Sequence, residues 1–269
     1  MDAFDDDLTR FAAHGAAPLP DAVEQGHVEH DGARIWYAAF GAGTPVVLLH
    51  GGLGHGGNWA YQVPALMAAG YRPIVIDSRG HGRSTRDARP YTYVRMASDV
   101  RAVMDALGID RAAFIGWSDG ACIALVLAMQ SPERAAGVFF FGCNMDPSGA
   151  KPFQPPPVID RCFSRHRQDY AVLSATPGDF DAFVAAVTEM MQTQPNATGA
   201  ELGAIRVPVT IVQSEHDEFI RPEHAQYLAR TIPGACFVLL PGVSHFAPLQ
   251  RPALFNDAVL AFLSGLPQR

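Results

Sequence analysis

Apolar residues along this chain come in two spacings. Short unbroken runs of strand length, PVVLLH at 45–50, PIVID at 73–77, AAFIGW at 112–117 and GVFFFG at 137–142, alternate with longer stretches at helical spacing. A run that is apolar on both faces predicts a strand covered on both faces. Two more runs, 207–213 and 236–240, continue the series, and helices are expected over 58–69, 93–107, 119–130, 222–231 and 252–263. Ahead of them, 27–30 and 33–40 read as strands joined at Asp31-Gly32, a pair suited to the positive φ values of a tight hairpin. A short acidic helix is expected at 4–14. The sum is an α/β fold with a mostly parallel, eight-stranded sheet. Right-handed crossovers place helices on both faces.

One segment breaks the alternation. Residues 146–205 separate two strands by far more than one helix. The segment opens on Pro152, Pro155, Pro156 and Pro157, then holds helix-like stretches at 158–173 and 180–191. A long insertion in a compact fold is usually functional. It reads as a helical cap over the carboxyl edge of the sheet, with 1–145 and 206–269 forming the core. No internal repeat or low-complexity tract interrupts either part.

Composition narrows the function classes. At 269 residues and 48% hydrophobic, the chain can bury a large core, and disorder is excluded for most of it. Its net charge of −7, with no long basic run, argues against a nucleic-acid partner. The longest strongly apolar run, 121–129, is far below the ~18 residues that span a bilayer, so no membrane partner is expected. The acidic start MDAFDDDLTR lacks the apolar core of a secretory signal, and a cytoplasmic location follows as an expectation. Cys122, Cys143, Cys162 and Cys236 lie far apart with no CxxC pair. Cys122 and Cys143 sit in apolar stretches and read as buried thiols, with no disulfide expected in a reducing compartment. Lys151 is the only lysine; with the abundant alanine, that reads as a GC-rich genome. Nothing in the pattern bears on oligomeric state.

The strongest chemical signal is Gly116-Trp117-Ser118-Asp119-Gly120, a G-x-S-x-G between a predicted strand and a predicted helix. A sharp strand-to-helix turn exposes the serine hydroxyl, and small residues two before and two after it avoid clashes. A serine hydroxyl needs a base. His245 follows a predicted strand and precedes the last helix, which puts it at the carboxyl edge of the sheet. Asp217 follows the preceding strand and could hold the imidazole as the third member. Asp146 is the runner-up acid; Glu215 and Glu218 are less suitably placed. His50-Gly51-Gly52-Leu53-Gly54 follows the first parallel strand, and its glycines let a backbone N–H approach a ligand closely. With the Asp119 N–H, the N–H of Gly52 or of Leu53 would complete an oxyanion hole; the two stay open. No G-K-[ST] follows, so a phosphate loop is disfavoured. His50 and His55 lack a third ligand nearby, so no metal and no cofactor is called for. The loop from Asp77 to Ser84 reads as structural: Gly80 and Gly82 shape a turn, while Arg79 and Arg83 pin adjacent loops.

Together these segments resemble the α/β-hydrolase superfamily, in family order and over nearly the whole chain outside the N-terminus and cap. Ser118 argues against the epoxide hydrolases and haloalkane dehalogenases of that superfamily, which place Asp at this turn. The GWSDG turn resembles small esterases of the valacyclovir hydrolase type. That resemblance implies that Asp119 pairs with a substrate ammonium; from the residues alone, Asp119 is a favourable charge at a helix N-terminus. The expected activity is hydrolysis of a small-molecule ester through an acyl-enzyme. Alternatives on the same fold are C–C bond or enol-lactone hydrolysis, cofactor-free perhydrolysis or haloperoxidation, and a non-catalytic ligand receptor. Trp117 and Phe246 flank the catalytic candidates and could wall the pocket. Phe153, Phe163, Phe180, Phe183, Met190 and Met191 could line an acyl pocket, half of them as cap core. Lys151, Arg161, Arg165 and Arg167 outnumber Asp160 and Asp169 in the cap, which suits a carboxylate-bearing substrate or simply a solvated helix face.

Overall fold

A computed structural model describes residues 6–152 and 157–267. Eight strands form one sheet: β1 (Glu24–His30), β2 (Ala33–Ala39), β3 (Thr44–Leu49), β4 (Tyr71–Ile76), β5 (Ala112–Trp117), β6 (Ala135–Phe141), β7 (Val209–His216) and β8 (Cys236–Ser244). Their order is β1-β2-β4-β3-β5-β6-β7-β8. Only the β1–β2 and β2–β4 pairings are antiparallel. The expected hairpin is present, with Asp31 and Gly32 at φ 44° and 79°. Phe4 and the rest of 1–5, and Phe153, lie outside the described residues.

The helices are α1 (Asp6–His14), α2 (Gln62–Ala68), α3 (Tyr93–Ala106), α4 (Asp119–Gln130), α5 (Pro157–Leu173), α6 (Phe180–Thr193), α7 (Gly199–Gly203), α8 (Pro222–Thr231), α9 (Ala247–Gln250) and α10 (Pro252–Ser264). The helix expected from residue 58 begins instead at Gln62. Asn58 and Trp59 belong to a single 3-10 turn whose start is capped by the His55 side chain.

Alternation along β3 separates two cores. Val47 and Leu49 face a layer built with α3, α4 and α8; Val46 and Leu48 face one built with α1, α2, α9 and α10. Helix α4 is buried along most of its length, which explains why it is apolar nearly all round. The insertion between β6 and β7 joins both cores. Phe180, Phe183, Val187 and Met190 of α6 extend the first, and Ile159 and Cys162 of α5 extend the second beside Leu8 and Phe11 of α1. Register brings the carboxyl ends together, with Leu49 of β3 opposite Gly116 of β5 and Trp117 opposite Phe141 of β6. Ser118, Asp217 and His245 all follow strand ends on that edge. No helix among the described residues is long and apolar enough to cross a membrane.

Candidate active site

Ser118 sits between β5 and α4 with φ 53° and ψ −123°. A non-glycine residue at positive φ is strained and persists only where its surroundings over-determine it. Here they do. A side-chain carbon at Gly116 would overlap Ala121, and one at Gly120 would overlap the Leu49 carbonyl. The turn is also anchored by Ser118 N–H donating to the Phe141 carbonyl at 2.8 Å.

His245 and Asp217 meet on the same edge. His245 Nδ1 lies 3.0 Å from Asp217 Oδ2, and both residues are buried. Donation from Nδ1 leaves the lone pair on Nε2. Asp217 Oδ1 accepts from the N–H groups of Phe219 and Ile220, each at 2.9 Å. Burial disfavours the imidazolium, but Asp217, then Glu218 and Asp119, outweigh it and hold the His245 pKa above the ordinary imidazole value. Glu218 accepts from the His245 main-chain N–H at 2.9 Å, and burial raises its pKa. Glu215 accepts instead from Gly242 N–H. Asp146 is directed elsewhere. Its Oδ1 caps Ser148 N–H at 2.9 Å and its Oδ2 is 3.8 Å from His224 Nδ1.

The Gly-rich loop passes beside the serine. A carbon added at Gly51 would lie 3.1 Å from Ser118 Cβ, and Leu53 takes a positive φ of 64°. The loop is held from beneath. His50 Nε2 accepts from Ser78 N–H at 3.0 Å, so Nδ1 donates to the Gly51 carbonyl at 2.8 Å. Asp77 accepts from Gly56 N–H at 2.6 Å and from Arg83 N–H at 2.8 Å. Arg79 is buried against Asp99, at 2.9 and 2.5 Å, and reaches the Asp31 carbonyl at 2.9 Å. The 77–84 segment therefore shapes the loops around the site. His55 Nε2 faces Asp169 of α5 at 3.4 Å. Among the described residues, no cluster of three or more His, Cys, Asp or Glu side chains is placed to hold a metal.

Asp119 begins α4 and is 5% exposed. Tyr93 hydroxyl donates to its Oδ1 at 2.7 Å, while Oδ2 is buried without a partner. Burial raises its pKa to about 6, against the opposing pull of Tyr93 and His245. A carbon at Gly52 would lie 2.8 Å from Asp119 Oδ2 and would overlap the terminal methyl of Met191. Trp117 and Phe246 are buried with their ring centroids 5.5 Å apart, and His245 lies 6.2 and 5.9 Å from them. Phe180, Phe183 and Met190 join the core layer of α3 and α4, with Phe183 against His81 and Tyr91, and Phe163 is half-buried in the other layer. Arg165 is paired with Asp169, and Arg167 with Asp181 at 2.5 Å, so these two insertion bases already have acidic partners.

Sequence reasoning missed three contacts. Lys151 Nζ donates to the Asp217 carbonyl at 2.6 Å; being the only lysine was its one signal. Gly142, at φ 62°, packs so closely that a side-chain carbon there would lie 3.2 Å from both Asp217 Oδ2 and the His245 ring. Its place just after a strand was the signal. Tyr93 offered none, because its partner is 26 residues away.

Comparison with known proteins is consistent in kind. A sequence model for the alpha/beta hydrolase fold matches residues 44–194. The RutD protein of Caulobacter sp. (strain K31) is 31% identical over 252 residues, covering 81% of this chain and 90% of that protein. Rhodomycin D methylesterase DnrP of Streptomyces peucetius is 27% identical, covering 82% of this chain and 92% of the relative. Among solved structures, Est816, described as an N-acyl homoserine lactone degrading enzyme, superposes with a TM-score of 0.70 at 30% identity. It covers 88% of this chain and 100% of its own.

Proposed function

The chain belongs to the α/β-hydrolase family, and we propose that within it the protein is a serine hydrolase of small-molecule esters. The observation that carries this reading is the buried His245–Asp217 pair, hydrogen-bonded at 3.0 Å on the sheet edge where Ser118 is held at positive φ. In this reading Ser118 Oγ attacks the ester carbonyl and His245 Nε2 takes its proton. Asp217 keeps the imidazole in the required tautomer and stabilises the imidazolium. The N–H of Asp119, with that of Gly52 or Leu53, receives the developing oxyanion. Each such donor is worth about 10²–10³ in rate. The alcohol leaves with the proton from His245. Water, activated by the same imidazole, then releases the acid. The insertion acts as the cap, and Met191 over Gly52 closes the acyl side.

Asp119 Oδ2 is a polar group left for the substrate. A buried carboxylate oxygen without a partner is costly unless something donates to it. An ammonium on the acyl part of the ester supplies both the hydrogen bond and the charge.

Labelling with a fluorophosphonate, with p-nitrophenyl ester turnover measured beside it, tests the reading. Stoichiometric adduct at Ser118 with loss of turnover is expected. Ser118→Ala should keep its fold and lose at least about 10⁴ in kcat. Turnover retained in that variant would overturn the assignment. Amino-acid esters against their des-amino counterparts, in the same assay, read the Asp119 contact.

A further inference from the structure

Two buried thiols lie directly behind the site. Cys122 Sγ and Cys143 Sγ are 2.9 Å apart, inside non-bonded contact, and both are free cysteines. A disulfide bond of ~2.05 Å needs only ~0.9 Å of further approach. Cys122 is one helical turn past Ser118 in α4, and its N–H reaches the Ser118 carbonyl at 3.3 Å. Its thiol also donates to the Asn144 carbonyl at 3.1 Å, so it is already aimed at the turn after β6. Cys143 follows Gly142, the residue packed against Asp217 and His245. The two sulfurs thus join the helix that follows Ser118 to the turn that backs the His245–Asp217 pair. Cys162 is buried in the insertion, and Cys236 is exposed on the edge strand β8.

We propose that Cys122 and Cys143 form an oxidisable dithiol site that a peroxide closes to a disulfide, slowing the chemistry at Ser118. The slowing rests on the proposed function; the disulfide does not. Cys143, 6% exposed against 0% for Cys122, meets the oxidant first. Its sulfur takes one oxygen as the peroxide O–O bond breaks, giving a sulfenic acid and water. The Cys122 sulfur then attacks the Cys143 sulfur. The S–S bond forms, the S–O bond breaks, and the Cys122 proton leaves with the hydroxide as a second water. Hydrogen peroxide is reduced by two electrons and the two thiols are oxidised by two. Burial holds the Cys122 thiol well above its ordinary pKa, which keeps it inert toward bulk oxidant. Contact with the neighbouring sulfur replaces that missing reactivity by proximity. Drawing Cys143 toward α4 displaces Gly142, and with it the wall behind His245 and Asp217.

The full chain carrying Cys236→Ser, which removes the exposed thiol, is treated with hydrogen peroxide, denatured, alkylated and weighed. The expected product carries one alkyl group where untreated protein carries three, matches in mass a singly alkylated chain less two hydrogens, and gives one cross-linked peptide joining residues 122 and 143. Fluorophosphonate labelling of Ser118 should slow by about tenfold or more and recover with a phosphine reductant. Cys143→Ala in the same background should give no cross-link and label at one rate with or without peroxide; Cys122→Ala is the second control. Oxygen added at either cysteine without a cross-link, or both thiols still alkylated, overturns the site. A cross-link with unchanged labelling overturns its effect on Ser118. Untreated protein that fails to label overturns the proposed function and leaves the mass readout standing.

Discussion

The two walls of the candidate site are built on different terms. On the serine side, backbone meets backbone: a carbon at Gly120 would overlap the Leu49 carbonyl, and one at Gly116 would overlap Ala121. On the insertion side, side chains meet: Met191 covers Gly52 with a terminal methyl, and Phe183 sets its ring 4.7 Å from His81. Backbone atoms in a packed sheet cannot move aside, so only one residue type fits. A methionine terminus can turn on three bonds, so many residues fit. The first wall is therefore specified residue by residue, and the second only in volume and polarity.

The comparison breaks most sharply at Gly120. Gly120→Ala should cost about 3 kcal/mol and displace the serine turn. A thermal melt should fall by roughly 10 °C, with turnover lost in whatever protein remains folded. A melt within 2 °C of the parent, checked beside wild type, would deny that backbone contact any importance. Acid should act next, on the boundary between the walls. His81 faces the insertion at Phe183, His50 packs beside His81, and His166 faces the core from α5. Burial, the largest cause in each case, lowers their pKa values to about 4, 3 and 3. For each, the unfolded chain binds the proton first. Their stability contribution is thus complete above pH 6.5 and lost as pH falls toward 4. The loss amounts to ~2–3 kcal/mol per histidine by pH 4.5. Melts across that range should show it, and His166→Leu should remove its share because His166 Nδ1 has no partner to lose. An identical slope in the variant would show that His166 does not titrate with folding. Met191→Ala should do least to stability. It should raise kcat/KM for longer acyl chains over acetate by about tenfold, the size expected for freed apolar room. An unchanged chain-length profile would place the acyl group elsewhere.

How much of this was legible follows the same division. Short runs apolar on both faces and bounded by turn residues suit buried central strands, so β3, β4, β5 and β6 were readable to within two residues. The helix expected from residue 58 was misread at its start, because His55 caps a 3-10 turn that periodicity does not register. Ser118, His245 and Asp217 were readable as candidates because each stands in a local context: a glycine-flanked turn, or the first loop after a strand. Asp146 stood in the same kind of context, after β6. Only its distance to His224 rather than His245 separates it from Asp217.

The sequence by itself determined the alternation of strands and helices, the insertion and the glycine-flanked serine. These depend on spacing and on backbone sterics, which act over a few residues. Tertiary structure alone decided what meets across long gaps: Tyr93 on Asp119, Lys151 on the Asp217 carbonyl, Met191 over Gly52, and Cys122 against Cys143. Those pairings are set by how the layers pack. Packing selects partners by position in space, and nothing in the local pattern of either residue records it.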